Sequence, residues 1–215
     1  MQAEGTYYDV LGVPVSILTL DEAARRIEGW AGDETGRFVC IRDVASLMAI
    51  TEDPAIAPLH RDAAMITPDG MPLVVLGKLK GHPVSRVCGP DLIDFMMARS
   101  ASHGTKHYFY GGQEGVAEEM ARRFAEKYPG VEVVGCECPP FRPLTEEELA
   151  EACEAARIAA SGADVVWIGI SRPSRMCDVA EPREDDADAD RCRRGVRFPR
   201  WPGAARAALD AEIGA

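Results

Sequence analysis

Lysine is scarce in this 215-residue chain. Of its 24 basic residues only Lys78, Lys80, Lys106 and Lys127 are lysines, and the rest are arginines. A basic surplus is missing too, because 35 acidic residues bring the formal charge to −11. Nothing is therefore in excess to neutralise a phosphate backbone, which argues against a nucleic-acid partner. No apolar run reaches the roughly 18 residues of a membrane-spanning helix. The opening Met1–Val10 stretch is acidic and polar and does not read as a signal peptide. The seven cysteines are odd in number and lack framework spacing, so free thiols in a reducing cytoplasm are expected.

Several catalytic signatures are also missing. No G-x-G-x-x-G follows a strand-like segment, which disfavours a nicotinamide-dependent dehydrogenase. No G-x-S-x-G elbow is present. His60, His82, His103 and His107 have neither metal nor triad spacing and read mostly as surface residues. Cys136 and Cys138 would share a strand face, but no second pair completes a zinc site. No metal and no cofactor is expected.

Hydrophobic residues make up 47% of the chain and charged residues 27%, enough for a packed core. To about Ile170 the text alternates strand-like and helix-like segments. Val10–Ile17 is a short apolar stretch with a Gly-Val-Pro turn. Thr19 can cap a helix over Leu20–Trp30, and Asp43 a helix that ends near Asp53-Pro54. Phe38–Ile41, Ala64–Thr67, Lys106–Tyr110, Val131–Val134 and Ala163–Ile170 read as strands. Met71–Leu79, Pro90–Ser102 and Val116–Tyr128 read as helices, with a short helix at His60-Arg61. Thr145 and Glu148 form a capping-box pattern that opens a helix to about Ser161. This alternation predicts an α/β, Rossmann-like, mostly parallel sheet with helices on both faces.

Ligands of such sheets sit at the carboxyl ends of the strands. Three loops qualify. In Thr67-Pro68-Asp69-Gly70-Met71-Pro72, Asp69 can be a general base or hold a metal, or simply cap the next helix. The turn Gly111-Gly112-Gln113-Glu114-Gly115 can offer amides to a diphosphate, or be a plain tight turn. In Arg86-Val87-Cys88-Gly89-Pro90-Asp91, Arg86 can pair with a phosphate, or be a surface arginine beside a capping Asp91.

Together these blocks resemble one family. Thr67–Pro72, Arg86–Leu92, Tyr108–Gly112, Ser161–Asp164 and Trp167–Ser171 occur in the order seen in the WecG/TagA/CpsF glycosyltransferases, and the likeness covers roughly residues 8–173. It implies an inverting transfer of an N-acetylhexosamine, typically N-acetylmannosamine, from a UDP-sugar donor. The acceptor would be a polyprenyl-diphosphate-linked sugar used in cell-envelope polysaccharide synthesis. By the same resemblance Asp69 is the base that deprotonates the acceptor hydroxyl, and Arg86 and Gly111-Gly112 sit near the donor diphosphate. Asp43, Pro68, Gly70, Met71, Gly89, Asp91, Gly169 and Ser171 complete the expected substrate-binding set. The lipid-linked acceptor implies a cytoplasmic protein peripheral to the inner face of the cytoplasmic membrane. A homo-oligomer is compatible with this reading. One stretch departs from the family: Arg42-Asp43-Val44-Ala45 stands where members carry a Thr-x-Asn or Asn-Val-His-like segment.

The larger departure follows Pro173. Arg175–Arg194 has no apolar face at either period, and Asp185–Asp190 is acidic low-complexity sequence. Family members continue with a Pro-Lys-Gln-Glu motif and an Ala-Phe-Asp-Phe-like block. Reverse translation with GC-rich codons, as the arginine bias invites, and a one-base shift turns residues 176–215 into text resembling that missing part. Residues 1–173 are therefore expected to be a truncated transferase domain, and 174–215 an out-of-frame or disordered tail. On this reading the C-terminal part of the fold is incomplete, the sheet edge beside Val165–Ile170 is uncovered, and the chain is poorly stable with little activity. Two rivals follow: a UDP-sugar-binding α/β module without turnover, and a non-functional product.

Overall fold

The computed structural model describes residues 6–31, 36–52, 60, 62–138, 154–169 and 205–209, with residues 154–156 and 205–209 described by backbone alone. The chain opens with a hairpin of β1 (Tyr7–Val10) and β2 (Val13–Ser16). Val10 pairs with Val13, so Leu11 and Gly12 form a two-residue turn with φ of 56° and 83°. Both residues are left-handed, as tight hairpins require. The sequence suggested an apolar stretch with a Gly-Val-Pro turn but no hairpin, because Leu-Gly is not a recognised hairpin signal; the turn falls at Leu11-Gly12. Buried Tyr8 ties the hairpin to the domain by donating its hydroxyl to the Leu73 carbonyl at 2.8 Å.

Thr19 caps α1 (Leu20–Gly29) as expected. Its hydroxyl accepts from the Glu22 amide, and the Glu22 carboxylate accepts from the Thr19 amide at 2.7 Å, a full capping box. There follow β3 (Arg37–Arg42), α2 (Val44–Glu52), β4 (Met65–Pro68), α3 (Met71–Leu79) and α4 (Gly89–His103). Gly104, at φ 70°, closes α4. The second half holds β5 (Lys106–Gly111), α5 (Val116–Lys127), β6 (Glu132–Glu137), α6 (Glu154–Ala160), β7 (Val165–Gly169) and β8 (Ala205–Leu209). The expected capping box at Thr145 and Glu148, and most of the expected helix at His60-Arg61, lie outside the described residues.

Strands β3 to β8 form one parallel sheet in the order β4-β3-β8-β7-β5-β6. Alternation along each strand sends side chains to two cores. Val39, Ile41, Met65, Phe109, Val165 and Trp167 pack under α1, α4 and α5. On the opposite face Cys40 and Ile66 meet Leu47 and Ile50 of α2 and Leu73 and Val74 of α3. Tyr108, Tyr110, Val166 and Ile168 meet Ile158 of α6 on that face. The sheet is thus an α/β, Rossmann-like layer covered on both sides.

One expectation is corrected. The edge beside β7 is not uncovered: Ala205–Leu209 runs between β7 and β3, pairing Val165 with Ala205 and Gly169 with Leu209 on one side and Cys40 with Ala208 on the other. Two parallel strands facing each other across one strand's width both present unpaired N–H and C=O groups. Backbone pairing satisfies them whatever the side chains are. The segment Ala-Arg-Ala-Ala-Leu carries little β-propensity, which is why the sequence did not announce a strand. The rest of residues 174–215 lies outside the described residues.

Candidate active site

Strand register brings the carboxylates together. Arg42 pairs with Pro68, so the next residues, Asp43 and Asp69, leave the carboxyl ends of adjacent strands. The Asp69 amide donates to the Arg42 carbonyl at 2.9 Å, and a Cβ on Gly70 would lie 3.6 Å from that of Asp43. The two loops are therefore near van der Waals contact at this point. The same edge receives the loop before α4, where the Val87 amide donates to the Pro68 carbonyl at 2.9 Å and the Thr67 hydroxyl to the Val87 carbonyl at 3.2 Å. These bonds set Arg86 beside Asp69. Its Nε donates to the Asp69 carbonyl at 2.8 Å, and Nη2 lies 3.4 Å from Oδ1.

The three acidic residues have different duties. Asp43 caps α2: its Oδ1 accepts from the Ser46 amide at 2.8 Å and the Ser46 hydroxyl at 2.7 Å. Burial alone would raise its carboxyl, but the Ser46 bonds, with Arg42 nearby, hold it below the usual carboxylate value. Asp69 caps nothing, because Gly70 is the N-cap of α3 and makes no side-chain cap bond. Burial pushes the Asp69 carboxyl above its usual value, Arg86 pulls the other way, and the charges of Asp43 and Asp91 add to the rise. Asp91 stands in the first turn of α4. The buried Cys88 thiol is pushed up by burial, reinforced by a hydrogen bond to Asp91. A partly shielded carboxylate without a capping duty has the character of a general base.

The glycine turn lies elsewhere on the same rim. Gly111 ends β5 with φ of 114°, and the Gly112 amide donates to the Gly169 carbonyl at the end of β7 at 2.9 Å. A Cβ on Gly111 would come within 2.3 Å of that carbonyl oxygen, so only glycine fits this crossing. Strand order puts β5 four strands from β4, roughly 19 Å at 4.8 Å per strand. Arg86 joins Asp69, and Gly111-Gly112 joins Gly169; the structure does not gather the two sets around one phosphate. Pro68 is buried, Met71 is exposed at the start of α3, and Gly89 is buried at the start of α4. Ser171 lies outside the described residues.

Sequence reasoning missed what lies beneath Asp43. Arg42 is fully buried and donates Nε to His60 Nε2 at 2.8 Å. The available signal was an arginine following the apolar run Phe38–Ile41 directly before a carboxylate. His107 is buried as well, so two of the four histidines are interior rather than on the surface. A separate hollow of about 530 Å³, lined by Thr6, Tyr7, Ile17, His82 and Pro83, contains none of these carboxylates. It lies by the hairpin, away from the carboxyl ends of β3 and β4, and His82 is its one titratable group besides Tyr7.

The chain is 28% identical over 141 residues to the N-acetylglucosaminyldiphosphoundecaprenol N-acetyl-beta-D-mannosaminyltransferase of Bacillus spizizenii. The aligned stretch is 65% of this chain and 52% of that relative, so the chain spans about half of the curated protein it matches. Residues 8–178 match the family model described as glycosyl transferase WecG/TagA/CpsF family, and a match over that much of the chain, with the site residues on one rim of the sheet, makes this protein a member of that family.

Proposed function

We propose that this protein is an inverting glycosyltransferase that moves N-acetylmannosamine from a UDP donor to a polyprenyl-diphosphate-linked sugar. The observation that carries the reading is Asp69, a partly buried carboxylate without a cap to serve, set against Arg86 at the rim of a parallel sheet. The acceptor hydroxyl is a poor nucleophile until a base takes its proton. Asp69 accepts that proton as the acceptor oxygen bonds to the sugar's anomeric carbon. The bond from that carbon to the diphosphate breaks, and its electron pair leaves with UDP. The leaving group gathers negative charge, which an arginine stabilises.

The donor's position is part of the same proposal. The anomeric carbon is bonded directly to a diphosphate oxygen and the acceptor attacks from the opposite face, so base and diphosphate flank that carbon, roughly 6–7 Å apart. Arg86, beside Asp69, can hold a diphosphate at that distance, and the amino end of the 15-residue helix α4 faces the same place with a favourable dipole. The Gly111-Gly112 turn, roughly 19 Å away along the rim, is left for the nucleoside end. Met71, Val75 and Leu79 form an exposed apolar row along α3, which starts two residues after Asp69. Such a row suits an acceptor that carries a lipid and a site that works at the cytoplasmic membrane face. No helix among the described residues is long and apolar enough to cross a membrane.

The test is donor binding followed by product identification. UDP should bind in calorimetry, and UDP-N-acetylmannosamine with a diphosphate-linked N-acetylglucosaminyl lipid should yield acceptor extended by one N-acetylhexosamine. The altered text after Pro173 favours a second reading, binding without turnover. UDP binding with no extended acceptor would establish that reading instead.

A further inference from the structure

Arg86 has one guanidinium and two edges on which to use it. Nε donates to the Asp69 backbone carbonyl at 2.8 Å, a firm bond that anchors the group. The contact from Nη2 to Oδ1 is longer, 3.4 Å, and the Arg86 side chain is 49% exposed. The carboxylate contact is therefore the weaker of the two, and donors on the open edge remain for another anion. Around Asp69 the other charged or titratable groups are Asp43 from the β3–α2 loop, Asp91 from α4 and the neighbouring Cys88. Among the described residues Arg86 is the cation that meets this carboxylate, and its charge works against the burial that makes Asp69 more basic.

We propose that Arg86 is shared between Asp69 and the donor's diphosphate, so that donor arrival draws the guanidinium off the carboxylate and makes Asp69 a stronger base only when a sugar is in place. The inference rests on the donor reading above and adds an order to it. In the empty site Arg86 quiets the base. In the loaded site the guanidinium turns to the diphosphate, and Asp69 is left facing Asp43 and Asp91 with its affinity for the acceptor's proton increased. The Arg86 bond to the Asp69 carbonyl holds the loop throughout.

The test uses the full chain labelled with ¹³C at aspartate carboxyl carbons, with the Asp69 signal assigned by its loss in Asp69→Asn. Its titration is followed with and without saturating UDP, in the unaltered chain and in Arg86→Gln. UDP should move the Asp69 midpoint upward in the unaltered chain. In Arg86→Gln the midpoint should already be raised without UDP, and the further shift on adding UDP should fall to less than half. If Arg86→Gln no longer binds UDP, the ligand-free arm decides: a raised midpoint supports the proposal and an unchanged one overturns it. Equal shifts in both chains would overturn it too, because the nucleotide's own charge would then suffice. UDP that binds without moving Asp69 sinks this inference and leaves the donor reading standing. UDP that fails to bind at all removes the donor reading, and the inference with it.

Discussion

Trp167 donates its indole N–H to Nδ1 of His107 at 3.1 Å, and that single bond settles how the buried histidine is protonated. With Nδ1 accepting, Nε2 carries the hydrogen and faces the Ser100 hydroxyl at 2.7 Å. Ser100 passes its own hydrogen to the Met96 carbonyl at 2.7 Å. The relay ties β7 and β5 to α4, the helix whose first turn carries Asp91. It works only with a neutral imidazole.

A pH dependence of stability follows. Burial pushes the His107 pKa down to about 4 from the ordinary 6.5. The unfolded chain takes up a proton below pH 6.5 that the folded chain refuses until about pH 4. The stabilisation is therefore present above pH 6.5 and is lost as pH falls through that window. Between pH 7 and pH 5 the loss from this residue is about 2 kcal/mol. Urea unfolding at the two pH values should show it, with ¹⁵N shifts of His107 reporting a neutral Nε2–H ring at pH 6. A charged ring at pH 6 would contradict the relay.

Two adjacent glycines should respond differently to one methyl group. Both have positive φ, 114° at Gly111 and 81° at Gly112. Gly112→Ala meets only Val116 at 3.7 Å, so its cost is the left-handed backbone, about 1–2 kcal/mol. Gly111→Ala also drives a carbon into the Gly169 carbonyl and must separate the ends of β5 and β7. It should cost clearly more, about 3 kcal/mol or above. Thermal unfolding of the two variants checks the order. Equal losses would mean that the β5–β7 crossing is looser than described.

The chain after Pro173 is open to a direct check. We propose that a one-base shift near Pro173–Met176 separates this text from its family. Resequencing the gene across the codons for Ser171–Cys177 should find one base gained or lost. An unchanged reading frame there would make the tail natural divergence.

Much of this architecture was legible because local chemistry and packing agree. Thr19, Asp43 and Gly104 mark helix ends that the structure keeps, and Met71–Leu79 is a helix with the expected bounds. The carboxyl-end rule led to Asp69, Arg86 and Gly111 by element order alone. Hidden from sequence was everything set by strand order. Asp43 meets Asp69 because β3 and β4 are neighbours, and Gly111 meets Gly169 because β7 returns beside β5. Neither adjacency is written in spacing. Ala205–Leu209 was missed for another reason: its pairing rests on backbone groups, which every sequence carries.

Whether Asp69 is the base of a sugar transfer is read from acceptor-dependent UDP release. With UDP-N-acetylmannosamine and a polyprenyl-diphosphate-linked N-acetylglucosamine, the chain should release UDP only when the acceptor is present. Asp69→Asn should bind UDP as before and lose roughly 10²- to 10⁴-fold in turnover. An Asn variant that releases UDP at the full rate would contradict the account.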